Sequence, residues 1–88
     1  MKVVFRRTFL NDLKAVREKK LLDHVHRVMN DAENARSLRD LVHVKMMEGY
    51  KGMYRVRVGS FRIGLYWNGK QLEFVRFLDR KEIYRYFP

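Results

Sequence analysis

Apolar and polar positions along the chain change period partway through. Lys2–Arg7 (KVVFRR) alternates imperfectly and reads as a short strand. Phe9, Leu10, Leu13 and Val16 then recur at helical spacing, with Asn11, Asp12, Lys14 and Arg17 on the opposite face. Thr8 is suited to cap this helix, which is expected to end near Glu18–Lys20. Leu21, Leu22, Val25, Val28, Met29 and Ala32 form a second stripe, so the two helices make a hairpin. Asp31–Asp40 loses the rhythm and reads as a helix end and loop, anchored by Leu38 and Leu41. Val42–Glu48 alternates weakly and fits a short strand or an extended lead-in, followed by breaks at Gly49 and Gly52.

From Met53 onward the period is two. Gly59-Ser60 suits a type II′ turn between Met53–Val58 and Phe61–Trp67. Counting outward pairs Val58 with Phe61, Arg57 with Arg62, Val56 with Ile63, Arg55 with Gly64 and Tyr54 with Leu65. Asn68-Gly69 suits a type I′ turn, and counting from it pairs Leu65 with Leu72, Gly64 with Glu73, Ile63 with Phe74 and Arg62 with Val75. Side chains alternate between faces along a strand. Tyr54, Val56, Val58, Phe61, Ile63, Leu65, Leu72 and Phe74 are therefore the expected core face. Met53, Arg55, Arg57, Arg62, Tyr66, Glu73, Val75 and Phe77 fall on the other, and Asp79 is considered for it. The expectation is an α+β fold: an N-terminal strand and a helical hairpin packed on one face of a small antiparallel sheet, in a single domain over residues 1–88.

Charge sharpens the picture. Residues 1–40 hold ten Lys/Arg against six Asp/Glu, and residues 41–88 ten against four, giving a net charge of +10 weighted toward the sheet. Such a balance in a small domain fits nucleic acid better than an acidic protein partner. Arg57 opposes Arg62 directly, with Arg55 two residues away. Like charges facing across a sheet are destabilising, so the cluster suits an anion, a phosphate above all; the alternative is a merely solvated basic face. Glu73 is one carboxylate against three guanidiniums. The segment Asp79–Pro88, a short helical turn or extended tail, brings further cations and tyrosines to the rim.

Other features exclude functions. There is no cysteine, so neither disulfide nor thiolate metal site is possible. His24 and His26 point to different faces of a helix and His43 is isolated, so no metal site is expected. No apolar run reaches the ~20 residues of a membrane span, and the N-terminus lacks the features of a signal peptide, so a cytoplasmic protein is expected. The methionines suit core filling, and Trp67 the edge of the core.

The pattern GYKxxYRVRVGxFRIGLYW…VRFLxRKEIYRYFP resembles the RelE/ParE superfamily of toxins from toxin–antitoxin systems, and within it the RelE-like branch. The resemblance covers nearly the whole chain and implies a RelE-like, microbial-ribonuclease-type architecture. It further implies an endoribonuclease that cleaves mRNA in the ribosomal A site without metal or other cofactor, the 2′-hydroxyl attacking the adjacent phosphate. Its partners would be a cognate antitoxin, acidic where it covers the arginine face, together with mRNA and the ribosome. Carried over by position, Arg62 would stabilise the phosphate, with Arg80, Asp79 and Tyr84 completing the catalytic set; the tyrosine stacks on or orients the base. Arg55, Arg57, Lys45, Lys51, Lys81 and Arg85 would bind RNA backbone. Two positions depart from the pattern. Arginines stand at 55 and 57 where RelE has lysines. Asp79 stands where many relatives have a histidine, and an aspartate is a poor proton donor at neutral pH. Glu73, Glu82 and Asp79 are then the carboxylates to consider as base. The alternatives are a ParE-type gyrase poison and a catalytically weakened variant that binds RNA or antitoxin.

Overall fold

A computed structural model describes all residues, 1–88. The chain runs β1 (Val3–Phe5), α1 (Arg7–Lys14), α2 (Lys19–Asn34), a 3₁₀ turn (Leu38–Asp40), β2 (Val44–Met46), β3 (Met53–Val58), β4 (Phe61–Trp67), β5 (Leu72–Asp79) and α3 (Ile83–Tyr86). The five strands form one sheet in the order β1-β5-β4-β3-β2. The pairings among β2, β3, β4 and β5 are antiparallel as expected; β1 adds a parallel edge to β5, so the sheet is mixed. Val44–Met46 is a true strand, which settles the reading of 42–48.

The helices differ from expectation at their ends. α1 starts one residue before Thr8 and closes at Lys14, short of Glu18. The Thr8 hydroxyl does not cap it; it donates to the Val75 carbonyl on β5. α2 continues through Asp31 to Asn34 because Ala32 remains on its buried side.

Phe9, Val25 and Ala32 from the helices meet Val56, Val58, Ile63, Leu65, Leu72, Phe74 and Phe77 from the sheet in one core. Tyr54 and Phe61 pack against its border. Phe5, Phe9, Phe74 and Phe77 make edge-on and stacked ring contacts, with neighbouring centroids 5.0–6.4 Å apart.

The register of the first hairpin matches the count from Gly59-Ser60 at every pair from Tyr54↔Leu65 to Val58↔Phe61. Gly59 sits at φ 60°, as the first residue of a II′ turn requires. The second hairpin does not match. Asn68 does not occupy the turn centre; its side-chain oxygen accepts from the Lys70 and Gln71 N–H groups, which moves the centre to Gly69-Lys70. Leu65 consequently faces Phe74 and Trp67 faces Leu72. A bulge then inserts one extra residue in β5 between the partners of Leu65 and Gly64. Beyond it the faces exchange. Phe77 pairs with Ile63 and is buried in the core, not on the arginine face, and Asp79 pairs with Phe61 on the core side.

β1 covers only Leu72–Phe74 of β5. α1 serves the rest of that edge with side chains: Asp12 Oδ2 accepts from Phe77 N–H at 3.0 Å, and its carboxylate clasps Arg76 at 2.7 and 3.1 Å. The part of the β5 edge that β1 leaves free is thereby served without a sixth strand.

The second face of the sheet carries a small core of its own. Met47, Ile83 and Phe87 are buried there against Met53, Val75 and Leu78. Burying an Ile or Phe side chain stabilises by about 1.5–3 kcal/mol, which holds in place a four-residue helix that could not stand alone.

Candidate phosphate-binding face

The cation cluster follows from strand alternation alone. Lys45 pairs with Arg55 across β2–β3, and Arg55 with Gly64 across β3–β4. Arg57 pairs with Arg62 in the next row. Residues paired in this way share a face with Cβ atoms about 4.5–5.5 Å apart, so Lys45, Arg55, Arg57 and Arg62 stand together. Arg57 is exposed, while Arg55 and Arg62 are half-buried.

Arg62 is held by two backbone carbonyls: its Nη1 donates to Phe61 O at 2.8 Å and to Gly59 O at 3.1 Å. The turn thus fixes the guanidinium base and leaves its remaining donors free. Its pKa is lowered from the ordinary arginine value, first by partial removal from water, then by the Arg55 charge, with lesser contributions from Arg57 and Arg80; Tyr84 acts in the opposite sense. Crowding by like charge is relieved when an anion arrives beside the guanidinium.

No carboxylate neutralises the cluster. The three ion pairs of the molecule are Arg6–Glu73, Arg76–Asp12 and Arg85–Glu82, the last at 3.8 Å. Glu73 is 4% exposed and also accepts from Asn68 Nδ2 at 3.2 Å, tying β5 to the hairpin turn rather than to the arginines. The Asp79 carboxylate accepts from Lys81 N–H at 2.8 Å and caps the turn into α3. The three acids considered as bases are therefore engaged elsewhere.

The remaining predicted residues divide. Tyr84 is exposed and shares a cavity of about 340 Å³ with Lys45, Arg55, Met46, Met47, Glu48 and Tyr50. Arg80 is close enough to perturb Arg62, and its N–H donates to Ser60 O at the hairpin turn. Lys81 and Arg85 are exposed beside them on the rim. Lys51 lies apart. It lines a different depression with Tyr54, Tyr66 and Trp67, in the turn before β3 starts at Met53, whereas Arg57 stands near the far end of that strand.

Sequence reasoning missed the contribution of Gly64, Arg76 and Phe87. Arg76 stacks its guanidinium 5.5 Å from the Tyr86 ring centroid. Gly64 faces the Phe87 ring, and a Cβ at 64 would stand 2.7 Å from ring atoms. The signal for it was a glycine inside a strand, which marks close approach by another group.

Comparison with known proteins places this arrangement. No family model matches the chain. It is 43% identical, over an alignment of 89 positions that covers the whole of both chains, to Toxin RelE3 of Methanocaldococcus jannaschii. Its fold superposes on that of a chain in the RelB–RelE antitoxin–toxin complex from Methanococcus jannaschii with a TM-score of 0.83 at 38% identity, covering 97% of this chain and 99% of that one. The archaeal RelE–RelB complex from Pyrococcus horikoshii has the same fold at a TM-score of 0.68 and 19% identity, covering 90% and 93%. With identity of this order along its whole length, and a five-stranded mixed sheet flanked by helices, the chain belongs to the RelE family of toxin–antitoxin toxins.

Proposed function

We propose that the chain is an endoribonuclease that cleaves mRNA in the ribosomal A site and thereby stops translation. The observation that carries this reading is the row of Arg55, Arg57 and Arg62 on one sheet face, with no carboxylate paired to any of them. Phosphate recognition accounts for a cluster that otherwise costs stability. In the reaction, the 2′-oxygen attacks phosphorus and loses its proton to a base, the bond to the 5′-oxygen breaks, and that oxygen takes up a proton. The products are a 2′,3′-cyclic phosphate and a free 5′-hydroxyl. Arg62 stabilises the negative charge on the phosphorane, which is the largest contribution a fixed cation makes to such a step. Arg55, Arg57 and Arg80 hold the same and neighbouring phosphates. Tyr84 stacks on or orients a base beside the scissile bond. Lys45, Lys81 and Arg85 extend the backbone track, and Lys51 meets RNA further out. Asp79 acts by holding the turn that presents Arg80 and Lys81. A cognate antitoxin, acidic at its contact surface, would silence the toxin by covering this face, and all of this takes place in the cytoplasm.

A second reading has one observation in its favour. Glu73, Glu82 and Asp79 are engaged with Arg6, Arg85 and the Lys81 N–H, none of them with Arg55, Arg57 or Arg62, which suits a toxin that binds RNA with reduced chemical power. Expression in a sensitive host separates the readings. The nuclease reading expects arrested translation and transcripts cut within codons. Arrest with intact transcripts would favour the weakened binder, and poisoned gyrase with intact transcripts would favour the ParE-type activity.

A further inference from the structure

We infer that Phe87, seated on Gly64, is a positioning residue that sets where Tyr84 stands beside the arginine row. This rests on the nuclease reading for its consequence, though not for its geometry.

Gly64 lies directly across from Arg55, and Arg55 from Lys45, so the glycine occupies the same cross-strand row as two of the phosphate-binding cations. Any side chain there would project onto the arginine face. The space is filled instead by the Phe87 ring. A Cβ on residue 64 would come within 2.7 Å of Cδ2 and Cγ and 2.9 Å of Cδ1, closer than the ring could tolerate without moving. The missing side chain is thus a seat, built into the middle of the site.

What sits in it is an anchored turn. Ile83 opens α3 and Phe87 follows its last residue in extended conformation, and they are 0% and 2% exposed. Phe87 N–H donates to Ile83 O at 2.7 Å, closing the turn on itself. Met47 brings the β2 end of the sheet to the same cluster, and Val75 and Leu78 bring β5. The Arg76 guanidinium, fixed by Asp12, lies over Tyr86. The turn is therefore held from three sides of the sheet.

Tyr84 follows Ile83 by one residue and cannot share its inward side. It is 57% exposed and opens onto the cavity it shares with Lys45 and Arg55, near enough to Arg62 to act on its charge. Buried neighbours at 83 and 87 bracket it, and its hydroxyl makes no hydrogen bond within the protein. Its placement is set by where the Phe87 ring rests. Removing that ring frees the turn while leaving the main core of Phe9, Ile63 and Phe74 intact.

The test uses the full chain with Phe87→Ala, Phe87→Leu and Gly64→Ala, reading three quantities. The Tyr84 ring resonance is followed in ¹³C-tyrosine-labelled protein, assigned with Tyr84→Phe. Single-turnover cleavage is measured on ribosome-bound mRNA. Affinity is measured with an oligonucleotide carrying 2′-deoxyribose at the scissile position. Phe87→Ala and Gly64→Ala should both move the Tyr84 resonance. Both should also slow cleavage by about 10–100-fold, the scale of a misplacement of about 1 Å, with affinity changed by no more than about threefold. Phe87→Leu, which keeps an apolar group on the seat, should recover most of the rate. An unmoved Tyr84 resonance in Phe87→Ala overturns the inference. So does a rate loss that affinity loss fully explains, or equal loss in Phe87→Leu and Phe87→Ala. A wild-type chain that cuts no RNA sinks the nuclease reading alone, and the Tyr84 resonance then decides the positioning role by itself.

Discussion

Arg62 shows how a single position is shaped by what it must meet. Its Nη1 is tied to the carbonyls of Gly59 and Phe61, and its charge is opposed by Arg55, Arg57 and Arg80. The folded protein holds these cations together at a cost, and the sign of that cost is testable. Arg57 is the exposed member and faces Arg62 directly. Substituting Arg57→Ala removes a like-charge neighbour, so it should stabilise the fold by a few tenths of a kcal/mol up to about 1 kcal/mol. Thermal unfolding should show the rise in Tm, and RNA affinity should fall in the same variant. A lower Tm would mean that Arg57 is held by favourable contacts and that the face is not strained by its charge. This cluster was legible from residue types and parity because Gly59-Ser60 sets the pairing of β3 with β4 unambiguously. Asp79 was not. Its face depends on the bulge at Val75–Arg76, and a bulge leaves no mark in a period-two pattern.

At the level of elements, turns and edges decide what the alternation cannot. In the second hairpin Asn68 spends its side chain on the Lys70 and Gln71 N–H groups, and the pairing slides by one residue on each strand. The dipeptide Asn-Gly suits the turn centre by sequence, yet its asparagine is the brace beside the turn. Helix α1 likewise has a task that its amphipathic stripe does not reveal. Phe9 faces the core, while Asp12 and Thr8 satisfy the free edge of β5. Asp12→Ala should leave Phe77 N–H and the Arg76 guanidinium without their acceptor. A loss of about 2–3 kcal/mol is expected from hydrogen bonds to a charged group, read as a shifted midpoint in urea. Loss within 0.5 kcal/mol would show, by the scale of ordinary surface substitutions, that water serves the edge equally well. The parallel partner of β1 was also beyond the reach of local pattern, because a three-residue strand can join either edge.

The whole molecule is a sheet with two unlike faces. One is sealed by α1 and α2 over the aromatic core; the other is divided between the cation row and the small cluster under α3. The charge of +10 is legible from composition, and its concentration near Arg62 follows from the register. The return of Phe87 onto Gly64 does not, since contact between a tail and a strand is set by tertiary packing alone. The family assignment and the fold rest on full-length identity and on superposition. The division of labour we propose assigns Arg62 to the phosphorane, its arginine neighbours to the phosphates, and Tyr84 to the base.

The most direct test of that division is cleavage of ribosome-bound mRNA by the purified chain in excess chelator, comparing wild type with Arg62→Ala and identifying the new RNA ends. Wild type should yield a 2′,3′-cyclic phosphate or 3′-phosphate and a 5′-hydroxyl. Arg62→Ala should lower the rate at least 100-fold, the scale of losing one transition-state charge partner, with an unchanged melting temperature or a slightly higher one. Cleavage by Arg62→Ala at a rate within about threefold of wild type, with the same ends, would contradict the account at its centre.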